Sequence, residues 1–281
     1  MSAVVKVGTR GSKLALWQAQ LLQNALHQHG VRTERIVLET RGDIDQETPL
    51  DNFDEPGVFT NVFDEALLHA EIDIAVHSLK DYPAAIPDGI TLGAFLKRGN
   101  PVDTLVLRVP LTGLVPGEEY IIATSSSRRR AQWLRRFPGS TTEPIRGNVP
   151  TRLAKLYESG WDGAILARAG LQRLGIQPPH TIDLGWMVPA PGQGIITAAC
   201  RSDDTHIRNI LSKVNDGNSE YCASLERAFM RHLGGGCEAP IGALATAHNG
   251  HVHFKGCVLA EDGSEEISVD MTTEARDPEH L

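Results

Sequence analysis

The chain has 281 residues, with 27 Lys+Arg against 35 Asp+Glu for a formal charge of −8, and 41% of it is hydrophobic. That apolar content supports a packed core and excludes a disordered tail or a fibrous repeat, and because single cores stop growing near about 250–300 residues, more than one domain is expected. The negative balance argues against general nucleic-acid binding. No run approaches the roughly 18 apolar residues of a membrane span, and MSAVVKVGTR enters structure without a signal-peptide core, so a cytoplasmic protein that does not meet the membrane is expected.

The four cysteines, Cys200, Cys222, Cys237 and Cys257, show neither CxxC nor metal-ligand spacing, so free thiols and no metal are expected. Among the basic residues 20 are arginine and 7 lysine, a bias toward the planar fork that grips carboxylates bidentately. Arg128, Arg129, Arg130, Arg135 and Arg136 cluster, with Arg146 and Arg152 soon after. They read as a local anion site inside an acidic protein.

Along the chain, Ala3–Val7 predicts a strand, and Leu14, Trp17, Leu21, Leu22, Ala25 and Leu26 recur at helical spacing until Gly30. A strand over Thr33–Glu39, a helix around Asn61–Ala70 and a buried strand over Ile72–His77 follow. Strands alternating with helices indicate a mostly parallel sheet. From Pro101 the pattern restarts: apolar Thr104–Val109, the strand Tyr120–Thr124, a basic helix from about Arg128, the helix Thr151–Ser159 and the strand Gly163–Ala167. Prolines and glycines from Pro178 to Gly194 mark a crossover before apolar Ile195–Cys200. A third, small α+β region begins near Asn215, with a helix over Ser219–His232, a break at Gly234-Gly235-Gly236 and a strand-like His251–Leu259. Asp277-Pro278-Glu279 is a helix-start signal that is either a polar end or the beginning of a further helix.

Several short segments could carry chemistry. Thr9-Arg10-Gly11-Ser12 lies between a strand and a helix N-terminus, where free N–H groups favour anions, although Ser12 is equally explained as an N-cap. In Thr124-Ser125-Ser126-Ser127-Arg128-Arg129-Arg130 the cations oppose the helix dipole unless an anion sits there. A solvated basic face accounts for Arg130, Arg135 and Arg136; Arg128 and Arg129, beside hydroxyl residues, are read as the site. Arg146 and Arg152 flank another helix start at Asn148 and Pro150. Arg173 is balanced between a ligand and an ordinary helix arginine.

His77-Ser78-Leu79-Lys80-Asp81 follows a buried strand, the end at which open α/β sheets hold ligands. There Asp81 could stabilise a developing cation or accept N–H groups, or simply begin a turn before Pro83. Cys237, in Gly234-Gly235-Gly236-Cys237-Glu238, reads as a presented nucleophile or attachment point, whereas Cys200 after Ile195–Ala199 reads as core.

In this order TRGSKLALWQAQ, AVHSLKDYP, ATSSSRRRAQ, RGNVPTRLAKL, LARAGLQRLG, PAPGQG and GGGCEAPIG closely resemble the porphobilinogen deaminase family over about residues 4–245. The resemblance implies an α/β fold of three domains: two type II periplasmic-binding-protein-like lobes around a cleft, 1–96 with 195–213 and 101–188, plus a small α+β C-terminal domain, 217–281. Segments near 97–102 and 189–194 would be hinges. It implies a transferase, hydroxymethylbilane synthase, that deaminates four molecules of porphobilinogen and joins them head to tail on a dipyrromethane cofactor, a thioether adduct of Cys237. Hydrolysis then releases hydroxymethylbilane to the next tetrapyrrole-pathway enzyme. A monomer is expected.

By the same resemblance Asp81 is the catalytic carboxylate, and Arg10, Ser12, Ser78, Lys80, Thr124, Ser126, Arg128, Arg129, Arg146, Arg152 and Arg173 hold the acetate and propionate groups of cofactor and substrate. Gln193 would line the cleft. Phe59 aligns with an aromatic residue near the aspartate, or is a core phenylalanine. The segment 51–57 would be a lid, here acidic through Asp51, Asp54 and Glu55 where the family often has lysine. Ser127 stands where the family usually has leucine. The competing readings are a degenerate paralogue and a non-catalytic anion-binding protein; Asp81, Cys237 and the arginines favour the enzyme.

Overall fold

The computed structural model describes residues 4–40, 60–111, 113–115, 117–234 and 239–275. Phe59, the 51–57 segment, Cys237 and the Asp277–Glu279 signal lie outside the described residues. In chain order the elements begin β1 (Val5–Thr9), α1 (Lys13–Gln28), β2 (Thr33–Val37), α2 (Asn61–Leu68), β3 (Ile74–Ser78), a 3-10 turn Leu79–Asp81 and β4 (Ile90–Phe95). Then come β5 (Asp103–Leu107), β6 (Ile121–Ala123), α3 (Ser127–Arg136), β7 (Thr141–Glu143), α4 (Val149–Glu158), β8 (Gly163–Ala167), α5 (Arg168–Arg173) and β9 (Thr181–Asp183). The remainder is β10 (Ile196–Arg201), α6 (Thr205–Leu211), α7 (Gly217–His232), β11 (Ile241–His248), β12 (His251–Leu259) and β13 (Glu266–Glu274).

The chain divides into two compact units, Met1–Gly99 with Gly194–Ser224, and Asn100–Gln193 with Leu225–Leu281. In the first, the sheet order is β2-β1-β3-β10-β4. β1 runs parallel to β2 and β3, and β10 returns antiparallel between β3 and β4. Alternation along the strands sends Val5, Val7, Ile74 and Val76 to one face and Ala75 to the other. The first face is covered by Ala19, Leu22 and Leu26 of α1, spaced at i, i+3 and i+7. The second is covered by Phe63 and Leu67 of α2 with Ile72 and Tyr82. A sheet covered on both faces explains why successive residues of β3, from Ile74 to His77, are all buried.

The second unit repeats the layout as β7-β6-β8-β5-β9, with β6 parallel to β7 and β8 and β5 antiparallel to β8 and β9. Trp133 of α3 and Phe137 just after it pack with Leu105, Leu107, Ile122 and Ile165 on one face; Leu153 and Leu156 of α4 pack with Val106, Ala164 and Leu166 on the other. A separate antiparallel sheet, β11-β12-β13, completes this unit. Phe254 of β12 meets Phe229 of α7 edge to face at 5.3 Å. On the opposite face Cys257 and Leu259 pack against Ala131 of α3 and Val188. The fold is thus α/β, two sheet-rich domains and a small C-terminal sheet domain, as expected from the sequence.

Local departures have local causes. The strand expected from Ile72 starts at Ile74, because the Asp73 carboxylate accepts the Lys6 amide at 2.9 Å and pairs with Arg201 at 3.2 Å. The first strand runs Val5–Thr9 rather than Ala3–Val7, carrying Thr9 into the core. Gly194 has φ +86°, and a Cβ there would stand 2.7 Å from the Gly99 carbonyl oxygen, so this position requires glycine.

Two titratable groups are buried behind the 3-10 turn. Asp64 of α2 accepts the Tyr82 hydroxyl at 3.1 Å, and burial pushes its pKa from 3.8 up to about 6. His77 lies 5.1 Å from both the Phe63 and Tyr82 rings, and burial, aided by the charge on Arg10, drops it from 6.5 to about 3. Their effects on stability have opposite signs. The folded state holds the Asp64 proton more tightly than the unfolded state does, so that contribution is present below pH 4 and lost as pH rises to about 6. The unfolded state holds the His77 proton more tightly, so its contribution is present above pH 6.5 and lost as pH falls toward 3. Asp64→Asn is therefore expected to raise the melting temperature at pH 8 by about 2–4 °C and to leave it unchanged below pH 4. Thermal melts of both proteins across that range check the sign.

Candidate functional site

The candidate residues of the first unit lie at the C-terminal ends of two adjacent parallel strands. Val7 pairs with Ile74 and Gly8 with Ala75, so the segments leaving β1 and β3 start side by side. After β1, Thr9 donates its hydroxyl to the Ala15 carbonyl at 3.1 Å and the Ser12 side chain accepts the Ala15 amide at 3.3 Å. Ser12 is thus the N-cap of α1, and its hydroxyl hydrogen is left to donate to an anion. After β3, Gln18 of α1 donates to the Ser78 hydroxyl at 2.8 Å. Leu79 is buried and its amide donates to the Ile195 carbonyl at 3.0 Å, fixing the 3-10 turn. That turn leaves Asp81 exposed, with no hydrogen bond to its carboxylate among the described residues, while Arg10, Ser78 and Lys80 are half-buried.

In the second unit the turn after β6 is built from hydroxyls. Thr124 accepts the Ser126 amide at 3.2 Å, and Ser126 caps α3 by accepting the Arg129 amide at 3.5 Å. Ser125 donates to the Ile145 carbonyl at 2.9 Å and accepts the Ile145 amide at 2.8 Å, which brings Arg146 beside this turn. Asn148 caps α4 through the Thr151 amide at 3.0 Å, and Arg152 donates to the Gly147 carbonyl at 2.7 Å. Arg146 and Arg152 are half-buried. Arg173, in the last turn of α5, is held down to a pKa of about 10 by burial.

Arg128 and Arg129 turn inward, and their first partner belongs to the chain itself. Asp103, at the start of β5 and 0% exposed, lies 2.8 Å from Arg128 and 2.7 Å from Arg129. Arg128 also donates to the Val188 carbonyl at 2.7 Å, and Arg129 to the Ile165 carbonyl at 2.9 Å. The expectation that an external anion must offset the cations at this helix start is corrected to that extent: Asp103 already does so. Two guanidiniums against one carboxylate nonetheless leave one positive charge over. Arg128 Nε is buried without an acceptor among the described residues, and burial pulls the Arg128 pKa below the ordinary arginine value despite Asp103.

Gln193 is 1% exposed, and its amide donates to Asp103 at 2.9 Å and to the Pro101 carbonyl at 2.6 Å. Arg130 is exposed, Arg135 pairs with Glu266 at 2.7 Å, and Arg136 lies over the Trp186 ring at 5.7 Å, in keeping with a surface role. Sequence reasoning missed Asp103 and Gln18. The one available signal for Asp103 was a lone acid opening a wholly buried strand. Phe59 and Cys237 lie outside the described residues. The other three cysteines are buried, and burial pushes Cys200 and Cys257 up to about 11, far from reactive thiolate.

Hydroxyl-capped helix starts with arginines close by follow parallel strands in both units of this α/β protein. The family comparison makes this specific. Residues 5–209 match the model of the porphobilinogen deaminase dipyrromethane cofactor binding domain, and residues 220–281 match that of the porphobilinogen deaminase C-terminal domain. Porphobilinogen deaminase of Rubrobacter xylanophilus is 42% identical over 267 residues, covering 94% of this chain and 87% of that one. The Limosilactobacillus reuteri enzyme is 41% identical over 274 residues, covering 95% and 90%. The chain belongs to the porphobilinogen deaminase family, the hydroxymethylbilane synthases, which are transferases of tetrapyrrole biosynthesis with a dipyrromethane cofactor. Among solved structures, a periplasmic substrate-binding protein of an ABC transporter from Coxiella burnetii is similar at TM-score 0.45 and 16% identity, covering 80% of this chain and 97% of that one. A likeness of that size carries no argument about fold or ligand.

Asp103→Asn removes the charge shared by two buried guanidiniums. It is expected to destabilise the protein by about 3–5 kcal/mol, the usual result of leaving buried charge uncompensated, as read from urea unfolding.

Proposed function

We propose that this chain carries out the family reaction with Asp81 as the catalytic carboxylate and Cys237 as the residue to which the cofactor is attached. The observation that carries the reading is Asp81 itself. It is exposed on a 3-10 turn anchored by Leu79, with Ser78 and Lys80 in the same turn and Arg10 and Ser12 leaving the neighbouring strand. For Cys237 the support is that the other cysteines are buried, while its glycine-rich surroundings in sequence suit a presented thiol.

The residues present fit a dipyrromethane. Each pyrrole carries an acetate and a propionate, and the Arg128–Arg129 pair holds a surplus positive charge with Arg128 Nε lacking an acceptor among the described residues. We assign Arg128, Arg129, Thr124 and Ser126 to carboxylates of the cofactor, and Arg10, Ser12, Ser78, Lys80, Arg146, Arg152 and Arg173 to carboxylates of cofactor and incoming substrate. Phe59 is assigned to the face of a pyrrole ring. Gln193 acts through Asp103. When attached, the dipyrromethane supplies a nucleophilic pyrrole α-carbon on which the product is built.

Asp81 acts on porphobilinogen. The carbon–nitrogen bond of the aminomethyl group breaks, ammonia leaves, and positive charge spreads over the pyrrole. A fixed carboxylate that accepts the pyrrole N–H stabilises that charge as it forms. A carbon–carbon bond then forms at the former aminomethyl carbon and the α-proton is lost. After four rounds, hydrolysis frees hydroxymethylbilane. The arginines keep each added pair of carboxylates neutralised, since burying them unpaired is costly.

We further propose a cytoplasmic monomer that passes its product to the next enzyme of the pathway. Its three domains would be 1–96 with 195–213, 101–188 and 217–281, a division supported by the three separate sheets. Asp81→Asn is expected to lower kcat by about 10²–10³-fold, as removal of a transition-state charge partner does, with the cofactor still attached. Cys237→Ser is expected to lose both the adduct and turnover. Intact-protein mass and a porphobilinogen consumption assay check both; wild-type activity in Asp81→Asn would overturn the assignment.

A further inference from the structure

The second unit contains a buried carboxylate that the reaction does not call on. Glu226 of α7 is 0% exposed, and each of its oxygens accepts a backbone amide from a distant segment. Oε2 takes Gly192 at 2.7 Å and Oε1 takes Ala245 of β11 at 2.7 Å. Neither bond belongs to the helix that carries Glu226.

These bonds complete a strap formed by residues 188–193. On one side the strap is gripped by α3: Arg128 and Gln132 both donate to the Val188 carbonyl, at 2.7 and 2.9 Å, and the Val188 amide donates back to Gln132 at 2.8 Å. Gln193 at its end reaches Asp103 at 2.9 Å. On the other side it holds β11, where the Ala243 amide donates to the Pro189 carbonyl at 2.9 Å. β11 is an edge strand of its sheet, so its outward amides at 243 and 245 are satisfied by the strap and by Glu226. The strap therefore links the Asp103–Arg128–Arg129 cluster to the strand that begins four residues after Cys237 in sequence.

We infer that Glu226 is a positioning residue for the reaction: by bonding Gly192 and Ala245 at once, it fixes β11, the strand that follows Cys237 in sequence, to the strap that the arginine cluster holds. The inference rests on the reading of Cys237 as the attachment residue. It also explains the choice of a carboxylate. Both oxygens face N–H donors, so glutamine would turn its own NH2 group against one amide, losing a hydrogen bond and leaving a buried donor unsatisfied.

The test compares wild type, Glu226→Gln, Gln132→Met and Val252→Ala. Gln132→Met removes two of the three bonds by which α3 holds Val188, leaving that from Arg128, and does not touch Glu226. Val252, buried in β12, has no bond to the strap and serves as the control for lost stability. Intact mass, thermal melts, and kcat and KM for porphobilinogen are measured on each. Positioning predicts that Glu226→Gln keeps its adduct but loses about 10–100-fold in kcat, with KM within about threefold, because a small misplacement of reacting groups falls on the chemical step. Gln132→Met shows the same split, and Val252→Ala at equal or greater loss of melting temperature does not. Should Glu226→Gln fail to fold, Gln132→Met decides alone. The inference is overturned if the strap variants keep wild-type kcat, or if Val252→Ala loses as much. Absence of an adduct from wild type, or its persistence in Cys237→Ser, would instead overturn the reading of Cys237.

Discussion

At the start of β5 two guanidinium groups close on one carboxylate with all three side chains withdrawn from water. Desolvating such groups costs several kcal/mol per ion, which is recovered only when geometry is close and the remaining donors find acceptors. The structure meets most of that condition by recruiting neighbours, Arg128 Nε excepted. Ile165 and Val188 offer carbonyls to the arginines, and Gln193 adds an amide to Asp103. The cluster thereby fixes β5, the start of α3 and the 188–193 strap to one another. The Thr124–Ser126 turn, the Ser125–Ile145 contact and the edge of β11 all hang from those elements. The charge left over after Asp103 is counted is what an organic polyanion would neutralise.

The two units solve the same positioning problem with the same layout. In the two five-stranded sheets one strand, β1 or β6, is flanked by two parallel partners, and one strand, β10 or β5, is antiparallel to both of its neighbours. Candidate residues leave the C-terminal ends of β1 and β3 in one unit and of β6, β7 and β8 in the other. In both, a serine caps the helix that follows the parallel-flanked strand, Ser12 after β1 and Ser126 after β6. A capping oxygen that accepts an amide retains its hydroxyl hydrogen, so one residue terminates a helix and still offers a donor. The bland reading of Ser12 and the ligand reading are therefore compatible.

What was legible in the sequence follows from what repeats locally. The α1 periodicity, the mainly apolar β3 and β8, and the Ser, Asn and Pro start signals are properties of neighbouring residues, and those elements lie within two residues of expectation. β7 and β9 are three-residue edge strands with half their surface in water, so they carry no period. The exposed β13 keeps no alternation that hydrophobicity alone reveals. In the site, strand ends and arginine content pointed to the right segments. The inward turn of Arg128 and Arg129 depends on Asp103, some 26 positions earlier in sequence, and no local pattern encodes that pairing.

Four carboxylates illustrate how surroundings decide role. Asp64 has one hydroxyl and little solvent, so burial raises its pKa to about 6. Asp103 faces two guanidiniums, and Glu226 two backbone amides. These three direct their oxygens to the protein's own donors, which makes them fasteners. Asp81 is exposed on a turn that Leu79 pins into the core, and among the described residues its carboxylate accepts no hydrogen bond. A carboxylate in that state can accept the N–H of an arriving pyrrole without first breaking an internal bond. Rigid backbone with an uncommitted side chain is the preorganisation that electrostatic stabilisation requires, and that is what the role proposed for Asp81 asks of the turn that carries it.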